Sequence, residues 1–102
     1  MSKQKATVPT PEQIEAWKKK YGSIFQLNVG DLSCILRKPT INDLSAANAV
    51  AINDTFAYSR VILISCWLTG DEEIKTNDDY FLTAHRRLGE MIEIKEGEIK
   101  KL

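Results

Sequence analysis

Ser23-Ile24-Phe25-Gln26-Leu27-Asn28-Val29-Gly30-Asp31-Leu32-Ser33-Cys34-Ile35-Leu36-Arg37 is the stretch that decides the fold. Phe25, Leu27 and Val29 alternate with polar neighbours, and after Gly30-Asp31 the alternation resumes at Leu32, Cys34 and Leu36. A two-residue turn at Gly30-Asp31 pairs Val29 with Leu32, Leu27 with Cys34 and Phe25 with Leu36, so all six side chains share one face. A slip of one residue would send three of them to solvent, so the turn and the apolar pattern specify the same register. The stretch predicts a β-hairpin over about 23–38. A hairpin alone is marginal in water, and its apolar face needs helices to cover it.

Helix signals lie on both sides. Upstream, Thr10 can cap a helix, Pro11 suits its first position, and Gln13 completes a capping box. The predicted helix runs from Pro11 to Lys20, stops at Gly22, and carries Ile14, Trp17 and Tyr21 on one side with Glu15 and Lys19 at ion-pair spacing. Met1 to Pro9 is polar and without periodicity, so residues 1–9 are expected to form a flexible leader. Downstream, Pro39 ends the second strand and Thr40 opens an alanine-rich helix over Ile41 to Asn53, with Asp43 in its first turn. Asp54 can cap the next helix. From Phe56 to Leu68 the chain is apolar nearly all round, which predicts a central buried helix ended by Gly70. Asp71 to Asn77 reads as an exposed acidic connector. Asn77 or Asp78 then caps a helix with Phe81, Leu82, Ala84, Leu88, Met91 and Ile92, and the charged stretch Glu93 to Leu102 is helix-prone, with Glu96 and Lys100 four residues apart. The expected architecture is α+β and mostly helical: an N-terminal helix and one hairpin packed on three or four helices, as a single domain over 10–102.

Composition excludes several roles. With 43% apolar and 27% charged residues, the 102-residue chain is of ordinary globular type, long enough for one real core. Fourteen basic and fourteen acidic side chains cancel, so no global field gathers nucleic acid, and a nucleic-acid partner is not expected. No apolar run approaches the roughly 20 residues that span a bilayer, and the polar start lacks the core of a secretory signal, so no membrane association is expected and the cytoplasm is the expected location. Cys34 and Cys66 form neither a CxxC pair nor a ligand cluster, and in a reducing compartment they read as small buried hydrophobes.

Candidate chemistry is sparse. The one histidine, His85, has no cysteine, histidine or carboxylate at ligand spacing and is assigned no role. Asp71, Glu72, Glu73, Asp78 and Asp79 lack the central glycine and closing glutamate of an EF-hand loop, so helix capping and solvation account for them. Lys18 to Lys20 sit where lysines complement a helix C-terminus, without the interleaved aromatic residues of a nucleic-acid site. No enzyme, cofactor or metal site is expected. Apolar excess remains: Ile14, Trp17 and Tyr21 on the first helix are the candidate partner-binding residues, with the hairpin edge beside them.

The stretches Pro11-Glu12 to Trp17-Lys18-Lys19-Lys20-Tyr21-Gly22, Leu36-Arg37-Lys38-Pro39-Thr40, Cys66-Trp67-Leu68-Thr69-Gly70-Asp71-Glu72-Glu73, and Leu88-Gly89-Glu90 to Lys101-Leu102 are spread along the chain from Pro11 to its last residue. In them the sequence resembles small uncharacterised proteins of bacteriophages and prophages in Bacteroides-type bacteria. A strand pair ending in Arg-Lys-Pro-Thr and followed by helices also resembles phage tail assembly chaperones. That resemblance implies a non-enzymatic assembly factor in the host bacterial cytoplasm, bound to a phage structural protein and open to homo-oligomerisation. It carries over no functional residue. The alternatives are a minor virion component, either connector or capsid-associated, and a small regulator binding a host protein or nucleic acid.

Overall fold

A computed structural model describes residues 8–92 and 96–102. The elements in chain order are α1 (Pro11–Tyr21), β1 (Ile24–Val29), β2 (Leu32–Arg37), α2 (Ile41–Ala51), α3 (Thr55–Cys66), β3 (Trp67–Gly70), α4 (Glu73–Thr76), α5 (Asp78–Arg87) and a closing 3₁₀ turn over Leu88–Met91. This is a mostly helical α+β fold, as the sequence predicts.

The hairpin has the predicted register: Val29 faces Leu32, Leu27 faces Cys34, and Phe25 faces Leu36. Gly30 takes a φ of 62° while Asp31 keeps a negative φ, which is the conformation that matches a tight turn to the right-handed twist of its strands. The helix caps also follow the sequence. Thr10 and Gln13 form a complete capping box, Thr40 and Asp43 form a second, and the Asp54 side chain accepts from the Phe56 N–H. Each such cap is worth about 1 kcal/mol.

The sheet itself departs from the expected hairpin. Trp67 and Leu68 are not the end of a helix: the chain leaves α3 at Cys66 and runs as β3 along the free edge of β2, giving a three-stranded antiparallel sheet in the order β1-β2-β3. Leu68 is a bulge residue, since Ile35 faces Thr69 while Leu36 faces Trp67. A two-stranded ribbon would have left the outer backbone groups of β2 unpaired beside a packed core, and β3 satisfies them. Gly70 thus ends a strand.

The core lies between one face of the sheet and the helices α2, α3, α4 and α5. Val29, Leu32, Cys34 and Leu36 meet Ala47, Ile62, Leu63, Cys66, Ile74, Phe81, Ala84, Leu88 and Met91. The α3 helix is not apolar-buried on all sides: Ile64 and Phe56 are exposed, and Ser59, Ile62, Leu63 and Cys66 form its inward stripe. Leu82 on α5 is likewise exposed.

The supposed acidic connector is partly structural. Asp71 is only 5% exposed; its Oδ2 accepts from the Ser33 N–H at 2.9 Å, and its own N–H donates to Ser33 O at 2.9 Å, so it extends the pairing of β2 with β3. Ile74 on α4 is fully buried, and Asn77 caps α5 through Asp79 N and Tyr80 N. At the other end of the chain, 96–102 form no helix, with Ile99 and Leu102 fully exposed. The rest of the helix-prone stretch, 93–95, and the first seven residues of the expected leader lie outside the described residues.

Candidate functional site

The partner-binding candidates all sit on α1, and none is a free outward-facing anchor. Ile14, Trp17 and Tyr21 are each half-buried, on the stripe of α1 turned toward the outer face of the sheet. That face carries Gln26, Ser33, Ile35 and Thr69, which together with Val8, Pro9 and Ile14 line a small cavity of about 100 Å³. Ile35 is buried but stands apart from the core cluster, because α1 covers it from the other side of the sheet. The helix nevertheless has no buried residue over its eleven positions. The predicted Glu15–Lys19 pair is replaced by Glu15 and Lys18 at 3.8 Å, and the Lys20 ammonium lies 5.2 Å from the Tyr21 ring centroid.

Arg37 connects this layer to the rest. Its Nη1 donates to Asp43 Oδ2 at 2.7 Å and its Nη2 to Asp43 Oδ1 at 3.3 Å, a two-pronged ion pair between β2 and α2. The same guanidinium donates to Ser65 O at 2.8 Å and Lys38 O at 3.1 Å and lies 5.8 Å from the Tyr21 ring centroid. The hydrogen bond from Arg37 is the main reason the Asp43 carboxyl is pulled down to about 2. From sequence, Arg37 is only the last residue of the hairpin stretch and Asp43 only a first-turn residue of the next helix. Their pairing has no local signal, since it requires β2, α2 and the end of α3 to be placed together.

A serine–histidine contact also escaped the sequence. Ser59 Oγ on α3 and His85 Nδ1 on α5 are 2.5 Å apart, and the Phe56 ring centroid lies 4.8 Å from that of His85. A hydroxyl bonded to imidazole is the first ingredient of nucleophilic catalysis. Here the serine is 2% exposed and the phenylalanine ring lies against its imidazole, which makes the contact a clasp between two helices. The thiols are buried as well. Burial pushes Cys34 up to about 12, with the Asp71 charge adding to it, and burial pushes Cys66 up to about 11, so both remain protonated at neutral pH. Among the described residues no three His, Cys, Asp or Glu side chains are grouped to hold a metal ion, and no helix is long and apolar enough to cross a membrane.

On the core side of β1 a groove of about 290 Å³ runs between the strand and the end of α5. Phe25, Leu27, Leu36, Leu88 and Met91 give it an apolar floor, and Arg87 and Glu90, paired at 3.1 Å, stand at its rim. Two surfaces therefore present partly covered apolar groups: the α1 layer on one side of the sheet and the β1 groove on the other. Compared with protein-family models, with curated proteins and with solved structures, the chain matches none.

Proposed function

We propose that this chain is a non-enzymatic phage or prophage assembly factor, of the tail assembly chaperone kind, that works in the host cytoplasm by holding another structural protein against α1. The observation that supports this reading is the state of α1. An eleven-residue helix bearing Trp17, Ile14 and Tyr21 rests on the outer sheet face with none of them buried. Half-covered aromatic side chains are what a partner can bury further, and such residues dominate binding energy at protein interfaces. The caps at Thr10 and Gln13 keep the helix intact if it shifts toward a partner. The resemblance to phage proteins supplies the class of partner.

Co-expression with the tail-tube and tape-measure proteins of a phage that encodes the chain tests the reading. A defined complex is expected with one of them, and Trp17→Ala is expected to weaken it by at least about 10-fold, the scale of an aromatic hot spot. The far-ultraviolet spectrum of the variant should be unchanged. Failure to form a complex with any tail protein would sink the proposal. Mass spectrometry of purified particles separates the chaperone from a minor virion component, since a chaperone is absent from the finished particle.

A further inference from the structure

The outer edge of β1 is an open edge of a kind that sheet proteins ordinarily guard. Ser23 O accepts from the Lys38 N–H, so the bonded positions on β1 are 23, 25, 27 and 29. The N–H and C=O groups of Ile24, Gln26 and Asn28 therefore point away from β2, and among the described residues no strand pairs with them. Edge strands are usually protected by charge, proline, a bulge or shortness. The other edge, β3, is four residues long, bulged, and ended by Gly70. In contrast, β1 is six residues long and Ile24-Phe25-Gln26-Leu27-Asn28-Val29 contains no charge and no proline.

We propose that a second copy of this chain pairs with β1, strand against antiparallel strand, about a two-fold axis at Gln26. This inference does not depend on α1 holding a partner, because its register comes from the strand edge and from the groove on the opposite face of the sheet. The register is dictated by the three outward residues. Centring on Gln26 sets Gln26 against Gln26 of the second copy and Ile24 against Asn28, and each facing pair exchanges two backbone bonds.

Two further features fit that register. Phe25 of one copy falls opposite Leu27 of the other, on the core side of the sheet, where the groove with its Leu88 and Met91 floor is open beside the strand. Close non-bonded pairs of aromatic and aliphatic side chains are the stabilising unit of such a junction. The same register places the turn of one copy, with its exposed Asp31, against the link from α1 to β1 of the other, where α1 ends and Lys18, Lys19 and Lys20 are exposed. An acidic turn thus meets a basic helix end twice, once on each side of the axis. This self-complementarity favours a second copy over an unrelated strand.

Light scattering coupled to size exclusion, on the full chain at high micromolar concentration, is expected to give about twice the 11.5 kDa of one chain. Gln26→Pro removes an outward N–H at each copy while leaving the bonded positions of β1 and β2 intact, and should weaken the dimer by about 10- to 100-fold. Asp31→Lys tests the register without touching the backbone and should also weaken association. Because Cys34 and Cys66 are buried, a Gln26→Cys variant offers one accessible thiol per chain among the described residues, and a short bifunctional maleimide should join two copies there. A wild-type chain that stays monomeric overturns the proposal. So does a dimer that Gln26→Pro and Asp31→Lys both leave unchanged, or a Gln26→Cys dimer that the short linker cannot bridge.

Discussion

Gly70→Ala is expected to destabilise the protein by about 3–5 kcal/mol, a large part of the total stability of a domain this size. Two effects combine. Gly70 holds a φ of 151°, a conformation that side-chain-bearing residues rarely adopt. Its missing side chain is also what lets β3 lie against β2: an added Cβ would collide with Cys34 Cβ, sit 2.5 Å from Cys34 Cα, and sit 2.8 Å from Ser33 O. Neither backbone atom can give way without separating the strands. Urea unfolding should show the midpoint falling steeply, and hydrogen exchange should show loss of protection first at Ser33 and Asp71, whose mutual bonds lie next to Gly70. Gly89→Ala is the control, because nothing lies within 4 Å of a Cβ there. A cost below about 1 kcal/mol for Gly70→Ala would show that β3 does not pack as described.

Arg37→Ala is expected to cost about 2–4 kcal/mol, because it leaves the largely covered Asp43 carboxylate without its cation and Ser65 O without a donor. Arg37→Lys should not restore the loss. A single ammonium cannot supply the parallel donors that reach both Asp43 oxygens and also the carbonyls of Ser65 and Lys38. The pH dependence has a definite sign. Asp43 is held at about 2 in the folded chain against an ordinary value of 3.8, so the folded state favours the ionised carboxylate. Its contribution is complete above about pH 4 and is lost as the pH falls toward 2, and with allowance for solvent screening it amounts to about 1–2 kcal/mol. Asp43→Asn should therefore flatten the stability profile between pH 4 and 2. An equally steep profile in that variant would assign the acid sensitivity to other carboxylates.

Both effects arise where separated stretches of sequence meet. In the sequence Arg37 only closes the hairpin stretch, and Gly70 reads as a helix stop. Only after β3 lies beside β2 does Gly70 become the point of closest strand approach, and only with α2 and α3 in place does Arg37 become a bridge. One clue to the third strand was present: Ile35 is apolar at a position that a two-stranded hairpin would turn to solvent. In the fold it is buried, as befits the middle strand of a sheet covered on both faces.

The same distinction runs through the candidate site. The stripe of Ile14, Trp17 and Tyr21 was legible from helical periodicity, yet periodicity cannot say what a stripe covers. The structure places it over the outer sheet face, half-buried. The clasp between Ser59 and His85 had no signal at all, since it joins positions 26 residues apart on different helices.

Legible in the sequence alone are the hairpin and its register, the caps at Thr10, Thr40 and Asp54, the stop at Gly22, and a choice of Asn77 or Asp78 for the cap of α5, which the fold resolves to Asn77. These depend on neighbours within a few residues, where turn geometry, hydrogen-bonding side chains and apolar period act directly on the backbone. Tertiary structure decided the fate of Trp67 to Gly70, the burial of Asp71 and Ile74, and the side of the sheet that α1 covers. The local preference of Trp67 and Leu68 is compatible with either helix or strand, and the unpaired backbone of β2 settles the choice by offering hydrogen bonds that only a strand can take up.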